Sequence, residues 1–345
     1  MRKVTSLVLA LSTLCCLSAA AAAPRSFPVP DTVSPEMQAI IAAPNTYWDT
    51  PLNSAEDWFN FKDWIHAAQR QGSQAALDHY GITLTEDKIG GVPVYWMEPE
   101  EVGAGKEDKV LLFIHGGGYV LGQGLSILYE GAEMAGESGY RVLAVDYRLA
   151  PEFPYPAATD DALAVYKELL KTVKSENIAV FGSSTGGAMT LILAMQARDQ
   201  GLPLPASLAA LTPWTDVAKV GDTYYTNEYV DNSIVSWDGW LQAAVEVYCG
   251  KEDLKNPYIS PVYGSVEGLP PTLLVSGTRD LFLSNTVRMH EKYLKAGVKS
   301  ELIVYEGQSH VQYYAAWNVP ETVFHFRNLT RFFDEHFGLK VPEQG

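Results

Sequence analysis

Short, unbroken apolar runs recur along this chain, and a stretch of helical periodicity follows most of them. The runs occupy residues 110–114, 142–145, 178–181, 208–211, 272–275 and 302–304, with a further strand pattern at 92–97. An apolar run without polar interruption fits a strand covered on both faces, which is the situation inside a parallel sheet. The intervening stretches at 125–137, 157–171, 187–198, 284–296 and 320–336 read as helices. This alternation predicts an α/β architecture, a mainly parallel sheet with helices on both faces. With 345 residues, 47% of them apolar, the chain can fill the core such a fold needs.

Two segments stand outside the alternation. Residues 24–90 begin with a proline-rich lead-in and a short helix near 35–42. A longer helix follows, with Ser54 as its N-cap and Glu56 and Asp57 in its first turn. Trp58, Phe61 and Ile65 fall at spacings of three and four and share one face of this helix, which runs towards His79 with Gly72 as a weak point. The second segment separates the strands at 208–211 and 272–275. It is rich in Tyr and Trp, too long for a plain connection and too aromatic for a solvated linker. It predicts an excursion of one or two helices over one end of the sheet.

The start of the chain reads as an address. Met1, Arg2 and Lys3 form a basic start, residues 4–17 are mostly apolar, and residues 19–23 are a small-residue stretch suited to signal peptidase. Residues 1–23 are therefore expected to be a signal peptide, and the product to be exported, periplasmic or secreted. The apolar run is shorter than the roughly 20 residues a bilayer span needs. No later segment is apolar enough to span, so no stable membrane anchor is expected after cleavage. Of three cysteines only Cys249 remains in the product, which predicts a buried, inert thiol and no intrachain disulfide. A net charge of −16 argues against binding nucleic acid or an anionic membrane surface.

The chemistry is concentrated in three places. In Ile178-Ala179-Val180-Phe181-Gly182-Ser183-Ser184-Thr185-Gly186-Gly187 a buried strand runs through Gly-x-Ser-x-Gly straight into a helix. That context lifts the Ser184 hydroxyl above the sheet edge at a helix N-terminus, where backbone N–H groups favour developing negative charge. Ser183 is out of frame, because Phe181 occupies the glycine position two residues before it. Next, His115-Gly116-Gly117-Gly118-Tyr119 follows a buried strand, and its glycines leave backbone N–H groups uncovered. The N–H groups of Gly116, Gly117 and Thr185 are the expected oxyanion donors, with His115 bracing the loop. Finally, Asp280 and His310 each follow a strand by a glycine-containing turn. The order Ser184, Asp280, His310 supplies nucleophile, orienting acid and base. The seven histidines show no metal-ligand spacing, so no metal or organic cofactor is expected.

These motifs, with Asp146-Tyr147-Arg148-Leu149-Ala150-Pro151-Glu152, resemble the hormone-sensitive-lipase-like (bacterial family IV) esterases of the α/β-hydrolase superfamily over residues 90–335. The resemblance implies the α/β-hydrolase fold with a helical cap. It divides the chain into a lead-in and cap segment at 24–90 and a catalytic domain at 91–345, with a cap insertion at about 213–255. It implies a serine hydrolase acting on small carboxylic esters or lactones with short to medium acyl groups. It also implies that residues 146–152 are a structural turn. Tyr119, Trp58, Trp64 and Trp214 are candidates for the pocket wall, against ordinary packing of cap on body. The family's nucleophile motif usually has Asp or Thr where this chain has Ser183, and Ala where it has Thr185. An amidase or peptidase on the same fold and a non-catalytic small-molecule binding protein are the alternative readings.

Overall fold

In a computed structural model of the protein, residues 27–45 and 50–341 are described, and the expected signal segment at 1–23 lies outside them. The strands are β1 (Thr83–Ile89), β2 (Val92–Glu98), β3 (Val110–Ile114), β4 (Arg141–Val145), β5 (Ile178–Ser183), β6 (Ser207–Leu211), β7 (Thr272–Gly277) and β8 (Ser300–Tyr305). The helices among the described residues are α1 (Pro35–Ile41), α2 (Ala55–His79), α3 (Tyr129–Ser138), α4 (Ala157–Leu169), α5 (Thr185–Asp199), α6 (Thr223–Thr226), α7 (Trp240–Cys249), α8 (Leu283–Lys295) and α9 (Pro320–His336).

All the strands join one sheet in the order β1-β2-β4-β3-β5-β6-β7-β8. Neighbours from β4 to β8 are parallel, while β2 is antiparallel to both β1 and β4. Successive side chains of a strand point to opposite faces, and here both faces are apolar. Leu111, Phe113, Phe181 and Val275 pack against Met134 of α3 and Phe326 and Phe333 of α9. Their neighbours Leu112, Ile114, Val180 and Leu274 pack on the other side with Val165 of α4, Leu191 of α5 and Met289 of α8. The unbroken apolar runs thus arise because the sheet separates two cores. Helix α5, behind the central strand β5, is buried from Thr185 to Ala197, so it is apolar nearly all round.

Strand β1 falls inside the segment that the sequence pattern sets before the sheet. Its residues are mostly exposed, and it pairs with β2 alone, from Thr83 opposite Glu98 to Ile89 opposite Val92. An edge strand of this kind needs no apolar alternation, because charged side chains on an edge also discourage pairing with other chains. The division at residue 90 therefore falls at the tip of a hairpin, where Gly90 and Gly91 both have positive φ.

Helix α2 begins at a capping box. The Asp57 N–H donates to Ser54 Oγ at 3.2 Å, and the Ser54 N–H donates to Asp57 Oδ2 at 2.8 Å. It crosses α3 and the turn at Gly124–Ile127. Gly72 faces the Tyr129 ring at that crossing, and a Cβ there would stand in ordinary contact with it at 3.4 Å. Helix α1 docks on α9, with the N–H and hydroxyl of Ser34 donating to the two carboxylate oxygens of Glu321, both at 2.7 Å. The aromatic excursion between β6 and β7 carries α6 and α7. No helix among the described residues is long and apolar enough to cross a membrane. Cys249, at the end of α7, is buried, and burial pushes its thiol up to about 12.

Candidate active site

Strand β5 ends at Ser183 and α5 begins at Thr185, so Ser184 alone makes the turn, with φ 59° and ψ −121°. Few non-glycine residues hold such a conformation, and the surroundings must enforce it. The Ser184 N–H donates to the Leu211 carbonyl at 2.8 Å, and its own carbonyl accepts from Trp214 N–H at 3.0 Å. The neighbouring glycines are required by contact. A Cβ on Gly182 or Gly186 would overlap the Ile114 carbonyl oxygen, and one on Gly187 would stand 2.9 Å from that of Leu211.

The glycine loop after β3 packs directly on this turn. A Cβ on Gly116 would stand 3.1 Å from the Ser184 Cβ. The Gly118 N–H donates to Thr185 Oγ1 at 3.2 Å, so the hydroxyl of the bulkier residue at 185 ties the loop to the turn. His115 Nδ1 donates to the Gly116 carbonyl at 2.7 Å, and its ring stacks on Tyr147 at 4.1 Å. Burial pushes the His115 imidazole down to about 3, so it is neutral and braces the loop. The 146–152 segment supports the same loop. The Tyr147 hydroxyl donates to the His115 carbonyl at 2.9 Å, and Ala150 N–H to the Tyr119 carbonyl at 2.9 Å. Arg148 is clamped by Asp161 at 2.7–3.1 Å.

Asp280 and His310 meet at the ends of β7 and β8. His310 Nδ1 lies 3.0 Å from Asp280 Oδ1, and both side chains are buried. The same Oδ1 accepts from Phe282 N–H at 2.8 Å, and Oδ2 accepts from Ser276 Oγ at 2.7 Å. A carboxylate so held offers one oxygen to the imidazole and fixes which ring nitrogen carries the proton. The two loops are in contact: a Cβ on Gly277 would overlap the Gln308 carbonyl oxygen, and Arg279 N–H donates to that carbonyl at 3.0 Å. The Phe282 ring meets the His310 ring edge-on at 4.8 Å.

Ser184, His310, Gly116 and Gly117 all border one cavity of about 300 Å³. The four aromatic residues expected in its wall are elsewhere. Trp214 is fully buried, stacked on Phe282 and donating to the Tyr224 hydroxyl at 2.9 Å. Tyr119 is buried face to face with Tyr248 at 3.8 Å. Trp58 packs edge-on against Phe61, and Trp64 lies half-exposed on α2. The wall is made instead by Ile65, Gln69 and Gly72 of α2, Leu121, Ile234 and Trp240. The reason is geometric: Ile65, Gln69 and Gly72 lie one and more turns beyond Phe61, which itself packs on Trp240 at 5.7 Å. Aromatic content picks out the cap but not which of its residues face inward.

Ser183 and Glu130 also border the cavity, as part of a polar cluster whose acidic members carry no sequence signal. The Ser183 hydroxyl donates to Glu130 and stands 2.7 Å from the Tyr313 hydroxyl. Glu130 and Glu133, both on α3, are buried, and desolvation pushes them up to about 8 and about 9. Two expectations arise here. Ser183→Ala retains ester hydrolysis within about tenfold but costs about 1–3 kcal/mol of stability, because two buried polar groups lose a partner. Denaturant melts and initial rates on the purified variant check this, and complete loss of rate in a folded protein contradicts it.

The second concerns pH. Each glutamate holds its proton in the folded state above pH 4.5, where an unfolded chain has released it. Their contribution to stability is complete below that value and is lost progressively as pH rises from there towards about 8 and about 9, where the loss levels off. Glu133→Gln removes one ionisation, so its melting temperature falls less than wild type between pH 6 and pH 9.5. Parallel melting curves over that range contradict the assignment.

Comparisons with known proteins agree with this architecture. A sequence profile of the alpha/beta hydrolase fold matches residues 111–314. An acetyl-hydrolase of Streptomyces hygroscopicus is 31% identical over 68% of this chain and 76% of its own length. An esterase of Acinetobacter venetianus is 32% identical over 63% of this chain and 73% of its own. Among solved structures, esterase E25 superposes with a TM-score of 0.88 at 37% identity, covering 91% of this chain and 98% of that one. The hormone-sensitive-lipase homologue EstE7 from a metagenome library gives 0.71 at 30% identity, over 81% and 98%.

Proposed function

Because the chain belongs to the α/β-hydrolase family and groups there with the hormone-sensitive-lipase-like esterases, we propose that this carboxylic ester hydrolase works through an acyl-enzyme on Ser184. His310 takes the Ser184 proton as the serine oxygen attacks the ester carbonyl carbon. Asp280 holds the imidazole tautomer and stabilises the imidazolium. The carbonyl oxygen gains negative charge and is met by the N–H groups of Gly116, Gly117 and Thr185. The tetrahedral intermediate collapses, the C–O bond to the alcohol breaks, and His310 delivers its proton to the leaving alkoxide. Water, deprotonated by His310, then attacks the acyl carbon; the bond from that carbon to Ser184 Oγ breaks as His310 returns the proton to Oγ, releasing the acid and free Ser184.

The observation that carries this reading is the convergence on one cavity: the strained Ser184 turn, the glycine loop, and an imidazole already paired with a buried carboxylate. The same space supports the substrate class. The cavity beside Ser184, about 300 Å³, is at the low end for ligand sites, and a second space of about 440 Å³ adjoins it at His310, Val311 and Tyr314. With Ile65, Leu121, Ile234 and Trp240 in its wall it suits short acyl groups, whether in open esters or small lactones. The basic, apolar and small-residue pattern of residues 1–23 supports export as part of the same proposal.

A chain-length series of p-nitrophenyl esters from acetate to dodecanoate, run beside matched p-nitroanilides and a small lactone panel, tests the reading. The expected result is a maximum kcat/KM at two to six acyl carbons and anilide rates below ester rates by orders of magnitude. Preference for anilides, or a maximum at dodecanoate, overturns it.

A further inference from the structure

A second buried carboxylate stands beside the Asp280–His310 pair. Asp231, in the excursion between α6 and α7, is fully buried. Its Oδ2 accepts the backbone N–H of Leu281, the residue after Asp280, at 2.9 Å, and that of His310 at 3.2 Å. Its Oδ1 accepts the N–H groups of Ser233 at 2.8 Å and Ile234 at 3.1 Å, both of which border the cavity. The next residue extends the tie, with Asn232 N–H donating to Ser309 Oγ at 3.2 Å and Asn232 Oδ1 accepting from Gln312 Nε2 at 2.7 Å.

Burying a carboxylate is costly unless its oxygens are met by donors, and a like charge nearby raises the cost. Desolvation first, then the charge of Asp280, pushes Asp231 up to about 6, against the opposing effect of His310 and the amides. The cost is met by four backbone N–H groups, two of which belong to the Asp280 and His310 loops. We propose that Asp231 is a positioning residue for ester hydrolysis: it locks the Asp280 and His310 loops in register through their backbone amides, and its charge supports the imidazolium that forms on His310. The inference rests on the reading of Ser184, Asp280 and His310 given above. The ionisable groups that bear on Asp231 are Asp280 and His310.

The test is Asp231→Asn in the full chain, measured on a short p-nitrophenyl ester from pH 5 to pH 9 beside wild type and Ser184→Ala. Asparagine keeps the shape but offers one acceptor oxygen and no charge. The expected result is a 10–100-fold loss in kcat with KM within about threefold, the pattern of a lost transition-state interaction. The acid limb of kcat/KM moves to lower pH, because a negative charge beside the imidazole has gone. Unchanged kcat and an unmoved limb overturn the inference, as does a loss confined to KM. Inactive Ser184→Ala beside an unaffected Asp231→Asn leaves the parent reading intact, whereas active Ser184→Ala sinks the parent reading itself. Should Asp231→Asn fail to fold, Asp231→Glu decides: with the charge kept, the acid limb of kcat/KM stays in place while kcat falls because the loop amides are displaced, and an unchanged kcat overturns the proposal.

Discussion

Replacing Ser184 by alanine abolishes ester turnover, lowering kcat by roughly 10⁵–10⁶-fold, the size of effect seen when a triad nucleophile is removed elsewhere. The expectation has a structural basis besides the motif. The turn at Ser184 is held by backbone hydrogen bonds to Leu211 and Trp214 and by glycine contacts with Ile114, none of which uses the serine side chain. Alanine also keeps the Cβ, which neighbours Gly116. The variant therefore folds with a stability within about 1 kcal/mol of wild type, as expected where no packing or hydrogen bond is lost, and the missing activity reports on chemistry alone. Initial rates with a short p-nitrophenyl ester, at enzyme concentrations high enough to detect the residue of activity left by the oxyanion donors, check it. A variant within a hundredfold of wild type contradicts the assignment.

Asp280→Asn is expected to lower kcat by about 10⁴-fold while leaving KM within a few-fold. Asparagine is nearly the same shape, but its amide can present N–H where His310 needs an acceptor. His310 then turns the wrong tautomer towards Ser184 and loses the negative charge that supports the imidazolium. The present partners of Asp280 sharpen the expectation. Oδ1 takes both His310 Nδ1 and Phe282 N–H, and Oδ2 takes Ser276 Oγ. A single amide oxygen cannot serve both sites: set towards Ser276 it turns N–H groups on His310 and Phe282, and set towards His310 it still lacks the charge. Steady-state kinetics with a circular-dichroism melt distinguish this from unfolding. A loss below tenfold in a folded variant means that Asp280 is not the orienting acid.

The sheet was legible because its central strands are buried on both faces, so Val110–Ile114 and Ile178–Ser183 are nearly free of polar interruptions. Strand β1 was hidden for the opposite reason, since Thr-Leu-Thr-Glu-Asp-Lys-Ile is an edge strand held by backbone pairing to β2. That Ser184, Asp280 and His310 each occupy a turn after a strand was legible too, because local sequence sets such positions. The cavity wall was not. Trp214 and Trp240 look alike in the chain, yet one stacks on Phe282 in the core and the other borders the cavity. Which of them does so depends on the path of the excursion between β6 and β7, which is a matter of tertiary packing. Glu130, Glu133 and Asp231 were illegible too. A carboxylate normally marks a solvated face, and nothing in the neighbouring residues reveals that these are buried.

Mass spectrometry of the covalent adduct bears most directly on the central claim that one activated serine carries the chemistry. The full chain is treated with a fluorophosphonate, digested and fragmented across the peptide containing both Ser183 and Ser184. The account predicts one adduct per chain, on Ser184, forming in step with loss of esterase activity and reduced by orders of magnitude in His310→Ala. An adduct on Ser183, or full ester hydrolysis by protein whose Ser184 is completely modified, contradicts it.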